Sequence, residues 1–430
     1  MAALSSKSLA TAREHLKSHY SVVIVGSGYG GGVAAARLAS TGESVCLLER
    51  GKEFLSGDFP DNENDALKEV QATLTQEEAD AETLGSKSGL YQFHIDHDIS
   101  VFRGCGLGGT SLIGAGVSIQ ADPVVFKEPC WPQALVDDLS DGLAEGFKRA
   151  TQMLQPVEYP DDGAPLAKMQ AHQRAAEVLG EPFIKLPINV QFKAITNDFG
   201  IHQDACKLCG NCTLGCNSGA SNSVAMNYLP AAQQHGAEIF TEMDVRRVER
   251  TFDGRQWRVY YFPLTADKTL YDRADELFIT TDCIVLSAGS IGTTEILLRS
   301  KNHGLSLSKQ LGKSFSGNAD LLGFGYNGDE RINAVGHNQR NATDLDPVGP
   351  VVTSAIDARD KTKLQDQYLI EDSAMPGAFS NMYATVLAGA EPLIRKNSGT
   401  KGQGFLKEKW RKAESTFRGA HFGAVAHTQV

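Results

Sequence analysis

A short apolar segment near the N-terminus, Ser21–Val25, is rich in β-branched residues and predicts a buried parallel strand. A glycine turn follows at residues 26–32, and an alanine-rich helix is predicted over Val33–Ser40. Ser44–Leu48 predicts a second strand. Because a strand, a helix and a strand follow one another at short spacing, this part of the chain predicts one βαβ unit.

The rest of the chain mixes helical and strand-like hydrophobic patterns. Apolar spacing predicts helices over residues 137–154, 165–179, 223–235 and 291–299. Short apolar runs predict strands at residues 238–241, 244–250, 257–262 and 283–286. Weaker alternation near residues 322–326, 351–356 and 368–371 favours an antiparallel sheet. The acidic stretch at residues 58–86 is predicted as a surface loop with a helix.

The glycine turn carries a dinucleotide-binding fingerprint. Gly26, Gly28 and Gly31 match G-x-G-x-x-G, with Gly30 inside the motif. The first glycine permits a tight turn, the second lets the backbone approach a diphosphate, and the third allows close helix packing. Glu49 closes the second strand about 20 residues downstream, where an acid accepts a ribose hydroxyl. The motif predicts dinucleotide binding and leaves FAD and NAD both open.

A second glycine cluster lies well beyond the βαβ unit, at residues 103–111. A remote glycine-rich segment suits an extended cofactor whose diphosphate or ring is covered by a second stretch of backbone. A closely packed loop without a ligand would use the same residues. The cluster therefore gains its meaning only together with the other motifs of the chain.

Taken together, these motifs resemble the glucose–methanol–choline (GMC) oxidoreductase family, and most closely its cholesterol-oxidase-like branch. The residues that carry the resemblance, in chain order, are 26–32, 49–51, 103–111, Asn227-Tyr228-Leu229, 286–299 and 315–318. The resemblance implies an α/β fold in which a Rossmann-type FAD-binding domain is interleaved with an α+β substrate domain built on an antiparallel sheet. It implies FAD-dependent oxidation of an alcohol, with a sterol as the first substrate class. A long-chain or sugar alcohol, or a flavin-binding chain without catalysis, is the alternative.

The resemblance also implies a division of the chain and a set of cofactor residues. The FAD-binding domain would comprise residues 20–118 and 200–318, with a cysteine-rich loop at 202–219, and the substrate domain 119–199 and 319–430. The residues implied to bind FAD are Gly26, Gly28, Gly30, Gly31, Glu49, Arg50, Gly106, Gly108, Gly109, Thr110, Ser111, Val245, Ala288 and Gly289. Gly114 departs from the family, which usually has an asparagine near the flavin at that position, and Ala319 replaces a usual glycine.

Catalytic residues are harder to assign. In the family a C-terminal glycine-rich segment carries a catalytic histidine, and a later Asn-Pro stretch completes the flavin site. Neither motif is found, so the sequence is expected to lack the family's C-terminal segment. Hydride transfer from an alcohol needs a group that takes the hydroxyl proton near neutral pH. The candidates are Glu371 and His427, with Asn318 implied on the substrate side.

Four cysteines form a tight run, Cys206, Cys209, Cys212 and Cys216. Their C-x₂-C-x₂-C-x₃-C spacing is typical of iron–sulfur ligands in ferredoxins. Zinc and a reduced loop without metal are the competing interpretations. A cluster would relay flavin electrons to an acceptor other than oxygen and would favour a dehydrogenase over an oxidase.

Composition excludes some classes. The net charge is −11, with 52 acidic and 41 basic residues, which disfavours nucleic-acid binding. No run of about 18 apolar residues predicts a membrane span. The first 20 residues lack the apolar core of a secretory signal, so a cytoplasmic or organellar protein is expected. The expected partners are a small-molecule alcohol and oxygen or another electron acceptor.

Overall fold

The computed structural model describes residues 8–76, 79–96, 99–264, 277–317, 320–326, 330–337, 346–380 and 422–428. The α-helices are α1 (Tyr29–Ala39), α2 (Glu63–Lys68), α3 (Gln133–Asp137), α4 (Gly142–Leu154), α5 (Ala167–Leu179), α6 (Tyr228–Gln234) and α7 (Gly289–Asn302). Short 3₁₀ turns connect several of them.

The largest sheet has six strands in the order β10-β2-β1-β13-β12-β11. Its strands are β1 (His19–Val25), β2 (Val45–Leu48), β10 (Glu238–Phe240), β11 (Met243–Arg250), β12 (Trp257–Pro263) and β13 (Leu277–Leu286). The first four strands in that order are parallel to one another. Strand β12 is antiparallel to β13, and β11 is antiparallel to β12. The central strand β1 pairs with β13 from His19 opposite Thr280 to Val25 opposite Leu286.

The burial of this sheet explains its hydrophobic pattern. In β1, Val23 and Ile24 are both 0% exposed, as expected of a parallel strand covered on both faces. On one side α1 and α6 pack through small and aliphatic residues around Ile24 and Leu47. On the other side α7 and the antiparallel strands pack around Val23 and Val248. This is the arrangement of a Rossmann-type domain, and it confirms the predicted fold class.

Two further sheets and one small ladder complete the described structure. A five-stranded antiparallel sheet, in the order β14-β17-β16-β15-β7, contains β7 (Phe183–Lys185), β14 (Leu321–Tyr326), β15 (Ser354–Ala358), β16 (Tyr368–Ser373) and β17 (Phe422–Thr428). A four-stranded sheet, in the order β4-β3-β5-β6, contains β3 (Val70–Gln76), β4 (Ala79–Gly85), β5 (Tyr91–Ile95) and β6 (Val101–Gly104). The ladder pairs β8 (Ile195–Thr196) with β9 (His202–Gln203).

The antiparallel sheet agrees with the weak alternation past Asp320, and α5 packs against it. Two helical and strand predictions differ from the structure. The helix predicted over residues 137–154 begins later in the structure, because a turn at residues 138–141 separates α3 from α4. In this turn the Asp138 carboxylate accepts from the Gly142 N–H at 2.9 Å. Residues 58–86 were predicted as a surface loop with a helix. The structure contains the helix, α2, but the segment continues into β3 and β4, which pair with each other.

The five-stranded sheet is tied to α5 by a buried ion pair. Lys168 of α5 and Asp372 of β16 are both 3% exposed, and the Lys168 ammonium donates to the Asp372 carboxylate. The same carboxylate accepts from the backbone N–H groups of Thr353 and Ser354, each at 2.7 Å, and from the Thr353 hydroxyl at 2.7 Å. Each Asp372 oxygen is therefore satisfied inside the protein.

The two larger sheets draw their strands from different parts of the chain, and the division into two interleaved domains stays a prediction. The six-stranded sheet draws its strands from residues 19–286, and the five-stranded sheet draws its strands from residues 183–185 and 321–428. The boundaries themselves stay a prediction. Across the residues that the structure describes, no helix combines the length and the apolar character that crossing a membrane requires.

Candidate functional site: a dinucleotide pocket

A cavity of about 470 Å³ lies at the carboxyl ends of β1 and β2. Its walls come from the turn between β1 and α1, the start of α7, strands β5 and β6, and the first residues of β11. In open α/β sheets ligands bind at this edge, outside the carboxyl ends of the strands. The fold therefore places a ligand site where the sequence places its fingerprint.

The glycines of the first turn have separate roles. Gly26 adopts φ +92°, and a Cβ there would lie 2.5 Å from the carbonyl oxygen of Ser287. A Cβ on Gly31 would lie 1.9 Å from the carbonyl oxygen of Gly26, so this glycine lets α1 pack closely on the turn. A Cβ on Gly28, by contrast, would meet nothing within 4 Å. Gly28 is thus the glycine that leaves open space for a ligand.

The second glycine cluster touches the first. A Cβ on Gly109 would lie 2.9 Å from the Cα of Gly28, and Gly109 has φ +58°. The Ser27 hydroxyl accepts a hydrogen bond of 2.9 Å from the Gly108 N–H. The two predicted cofactor segments, which are far apart in sequence, therefore form one wall.

Glu49 is 6% exposed and braces this wall from behind. Its carboxylate accepts from the Ser27 N–H at 2.9 Å, from the Ser27 hydroxyl and from the Gly51 N–H at 2.7 Å. Because each carboxylate oxygen has two lone pairs, the side chain retains capacity for a ribose hydroxyl while it shapes the turn. Its structural role was not visible in the sequence.

Two helix N-termini open into the cavity. Helix α1 begins after Gly28 and α7 begins after Ala288, and neither has a side-chain cap or an acidic residue in its first turn. The free N–H groups and the positive dipole end of such a helix attract an anion. The cavity is therefore suited to a phosphorylated ligand.

Ten of the fourteen residues predicted to bind the cofactor line the cavity: Gly26, Gly28, Gly30, Glu49, Arg50, Gly109, Thr110, Val245, Ala288 and Gly289. The other four, Gly31, Gly106, Gly108 and Ser111, lie behind the wall and support it. Ser111, for example, donates to the Gly108 carbonyl at 2.6 Å and accepts from the Val224 N–H at 3.1 Å. The second group shapes the site through backbone contacts.

Sequence reasoning missed a set of charged and polar wall residues: Gln92, His94, Arg103, Asp244, Arg246, Glu295 and Arg299. Three of them come from β5 and β6, which the sequence did not predict. Asp244 lies 3.7 Å from the Nε of Arg50 and 3.2 Å from Arg246, and Glu295 lies 3.2 Å from Arg299. The sequence offered a signal for Glu295 and Arg299, because an acid four residues before an arginine on a predicted helix indicates an ion pair on one helix face.

The three residues predicted as catalytic candidates lie in different places. Asn318 lies outside the described residues. The backbone of His427 lies in β17 and pairs with Ile370, one residue from Glu371. Glu371 is half-buried on β16, outside the walls of the cavity, and burial raises the pKa of its carboxyl to about 7. The negative charges of Asp372 and Asp320 act in the same direction.

This raised pKa predicts a pH-dependent stability difference. A carboxyl whose pKa is higher in the folded protein favours folding when protonated, so that contribution is lost as the pH rises from about 4.5 through about 7. Glu371→Gln cannot ionise. It should therefore match the wild type at pH 4 and exceed its unfolding free energy at pH 8 by on the order of 1 to 2 kcal/mol. Denaturant unfolding at both pH values measures this.

Glu145→Gln is the matched control. Glu145 is exposed on α4, and its hydrogen bond to Arg149 lowers the pKa of its carboxyl. The control should therefore lose a little stability at pH 8 instead of gaining it. An advantage of Glu371→Gln that stays constant from pH 4 to pH 8 would contradict the assignment.

The cysteine run lies at the junction with the five-stranded sheet. Cys206, Cys212 and Cys216 pack against the buried cluster around Ile188 and Val351. The Leu208 carbonyl accepts from the N–H groups of Val348 and Gly349, so the loop is hydrogen-bonded to the segment before β15. The loop therefore joins two parts of the chain.

The metal interpretation of this run is not supported. The cavity between the four thiols measures about 20 Å³, which is room for about one water molecule. Burial raises the pKa of the Cys209 thiol to about 12 and that of Cys212 to about 11, so both thiols are neutral when no metal ion is bound. Within the described ranges, no three or more His, Cys, Asp or Glu side chains are arranged to hold a metal ion. An iron–sulfur cluster is therefore not supported, and metal ligation by the four cysteines stays a prediction.

The sheet order, the fingerprint turn and the cavity together define a Rossmann-type nucleotide-binding protein. A family model described as GMC oxidoreductase matches residues 29–317. The chain belongs to the GMC oxidoreductase family, as the sequence motifs indicated.

Named relatives share the same region. A cholesterol oxidase of Mycobacterium tuberculosis is 29% identical over 314 residues, which cover 69% of this chain and 51% of that protein. A cholesterol oxidase of Acinetobacter baumannii is 24% identical, over 70% of this chain and 55% of that protein. A long-chain-alcohol oxidase of Arabidopsis thaliana is 25% identical, over 75% and 40%. The chain spans about half the length of the curated relatives that it matches.

Solved structures show a looser similarity. A formate oxidase has a TM-score of 0.48 at 13% identity, covering 96% of this chain and 73% of that chain. A pyridoxine 4-oxidase from Mesorbium loti has a TM-score of 0.45 at 16% identity, covering 82% and 66%. Similarity at this level supports no conclusion about the ligand of this chain.

Proposed function

We propose that this chain binds FAD in the dinucleotide pocket and belongs to a flavin-dependent oxidoreductase that acts on the CH–OH group of an alcohol. The observation that carries the proposal is the joining of the two glycine segments, Gly26–Gly31 and Gly106–Ser111, into one cavity wall beside two free helix N-termini. Membership of the GMC oxidoreductase family supports the choice of FAD over NAD.

The residues present fit the ADP part of FAD. The open space above Gly28 and the start of α1 would hold the diphosphate, Glu49 would accept from the ribose, and the Val245 backbone would face the adenine. Gly109 and Thr110 would lie along the cofactor on the opposite side. Bound FAD would supply a two-electron acceptor for the hydride of the alcohol.

We propose a sterol as the preferred substrate class, because two of the relatives carry the name cholesterol oxidase. A long-chain primary alcohol is the second candidate, favoured by the relatives named long-chain-alcohol oxidase. Both are apolar alcohols with one reactive hydroxyl. Oxygen is the proposed electron acceptor, since these relatives are named oxidases and the cysteine run does not fit an electron relay.

Glu371 is the proposed acceptor of the hydroxyl proton. Burial raises the pKa of its carboxyl to about 7, within the range that suits a general base, and its position on the five-stranded sheet, outside the walls of the dinucleotide pocket, would assign it to the substrate side. The pKa of Glu371 stays high because the carboxyl is partly buried and, among the described residues, no cation forms an ion pair with it. The proposal implies that alcohol oxidation rises with pH through about 7 and that Glu371→Gln removes this dependence.

The test is the visible spectrum of the purified chain with FAD, before and after anaerobic addition of cholesterol or of a long-chain primary alcohol. Flavin absorption that remains after gel filtration supports FAD binding, and bleaching by cholesterol supports a sterol substrate. Bleaching by the long-chain alcohol but not by cholesterol would show that the substrate is a long-chain alcohol and not a sterol. A colourless chain would overturn the proposal as a whole.

A further inference from the structure

Four arginines line the dinucleotide pocket, and they differ in their partners. Arg50 and Arg246 lie beside Asp244, at 3.7 and 3.2 Å, and Arg299 lies 3.2 Å from Glu295. Arg103 has no carboxylate within 4.0 Å among the described residues. It is therefore the pocket arginine whose charge the described protein leaves uncompensated.

Arg103 is nevertheless held in a fixed position. It lies at the end of β6, and its Nε donates a hydrogen bond of 2.7 Å to the Gln92 side-chain oxygen on β5. One terminal nitrogen of Arg103 lies 3.4 Å from the point that a Cβ on Gly292 would occupy, near the start of α7. The neutral Gln92 amide thus holds the guanidinium of Arg103 in place without neutralising its charge. The two terminal amino groups of Arg103 have no hydrogen-bond acceptor among the described residues and can donate to a ligand.

The surroundings of Arg103 call for an anion. Burial lowers the pKa of the Arg103 guanidinium, against an opposing effect of the more distant Glu295. The Arg103 side chain is half-buried and an arginine stays charged there, so a bound anion would offset the partial loss of its hydration. The neighbouring Nε2 of His94 is also buried without a hydrogen-bond partner among the described residues. Both groups belong to the cavity wall.

We propose that Arg103, held by Gln92, is the side-chain cation that binds the diphosphate of the dinucleotide. Its forked terminal nitrogens can donate two hydrogen bonds to phosphate oxygens, and the N–H groups at the starts of α1 and α7 add to the same positive field. This assignment rests on the proposed FAD site and names a residue that the dinucleotide fingerprint does not contain.

The test compares ADP with adenosine as ligands of the purified chain, by calorimetry or by displacement of FAD. Arg103→Gln should weaken the binding of ADP and of FAD by about tenfold or more, because a charged hydrogen-bonding partner is lost. The same variant should leave the affinity for adenosine, which has no phosphate, unchanged. Equal weakening of ADP and adenosine, or no weakening of either, would overturn the assignment.

A second variant keeps the arginine in place. Gln92→Glu is nearly isosteric and gives Arg103 a carboxylate partner within the protein, so it should weaken ADP binding as Arg103→Gln does. Arg149→Gln, on the exposed face of α4, removes one positive charge elsewhere and should change neither affinity. If Gln92→Glu binds ADP as tightly as the wild type, the positive charge of Arg103 does not contribute to binding of the diphosphate.

The two proposals fail in different ways. If the wild-type chain binds neither FAD nor ADP, the proposed function is wrong. If the wild type binds FAD and ADP while Arg103→Gln binds ADP equally well, only the role of Arg103 is wrong. Far-UV circular dichroism of each variant excludes loss of the fold as the cause of weaker binding.

Discussion

Gly28→Ala should fold normally and lose FAD affinity by roughly tenfold to a hundredfold, which is the effect expected when a methyl group blocks a close backbone approach to a diphosphate. The added Cβ meets no protein atom within 4 Å, and Gly28 has φ −65°, a conformation open to any residue. Fluorescence titration with FAD measures the affinity, and thermal unfolding of the FAD-free chain measures the stability.

Two other glycine variants separate ligand effects from folding effects. Gly26→Ala places its Cβ 2.5 Å from the Ser287 carbonyl oxygen at φ +92°, so it should destabilise the fold itself. Gly146→Ala, on the exposed face of α4, should stabilise the chain by about 1 kcal/mol and leave FAD affinity unchanged. Should Gly28→Ala lose stability as Gly26→Ala does, the open space above Gly28 would not be a ligand site.

The second large effect is expected at the ion pair between α5 and β16. Lys168→Met leaves the Asp372 carboxylate buried without its cation, which typically costs about 3 to 5 kcal/mol of unfolding free energy. Burial alone would raise the pKa of Asp372, but the charge and hydrogen bonds of Lys168 hold it below its ordinary value. Chemical denaturation at pH 7 measures the loss.

An exposed pair supplies the control. Lys68→Met breaks the contact between Lys68 and Asp65 on α2, whose side chains are 73% and 41% exposed, and should cost far less unfolding free energy than Lys168→Met. Adding Asp372→Asn to Lys168→Met should recover part of the loss, because the amide oxygen can still accept from Thr353 and Ser354. Equal effects of Lys168→Met and Lys68→Met would refute the interpretation.

The parts of the fold that were predicted from sequence are those with local signals. The β-branched run of β1, the glycine turn and the apolar β2 define a βαβ unit within about 30 residues, and the structure contains it. Family motifs extended the prediction to Gly109 and Ala288, because their spacing along the chain is distinctive.

The parts that were missed depend on long-range pairing. β3 (V-Q-A-T-L-T-Q) and β5 (Y-Q-F-H-I) do alternate apolar and polar residues, but β3 lies in a stretch that was interpreted as an acidic surface loop and β5 is only five residues long. The pairing of β3 with β4 and β5, and of β5 with β6, is not specified by any one of these segments. Gln92 therefore could not be placed in the pocket from the sequence, and Arg103 was recognised only as the first residue of the second glycine cluster, without a role for its side chain. The cysteine spacing left iron–sulfur, zinc and a metal-free loop open for a related reason, since spacing does not specify burial or the size of the space between the thiols.

The pairing of β1 with β13 also determines when the nucleotide site can form. His19 and Thr280, which face each other across these strands, are separated by 261 positions in the chain. At about 5 to 20 residues per second, a ribosome adds that length in roughly 10 to 50 s. During this interval the fingerprint turn exists without Ser287, Ala288 and the start of α7. On the proposed function, FAD would therefore be loaded late in biosynthesis, after the nascent N-terminal unit has persisted for this interval without a cofactor.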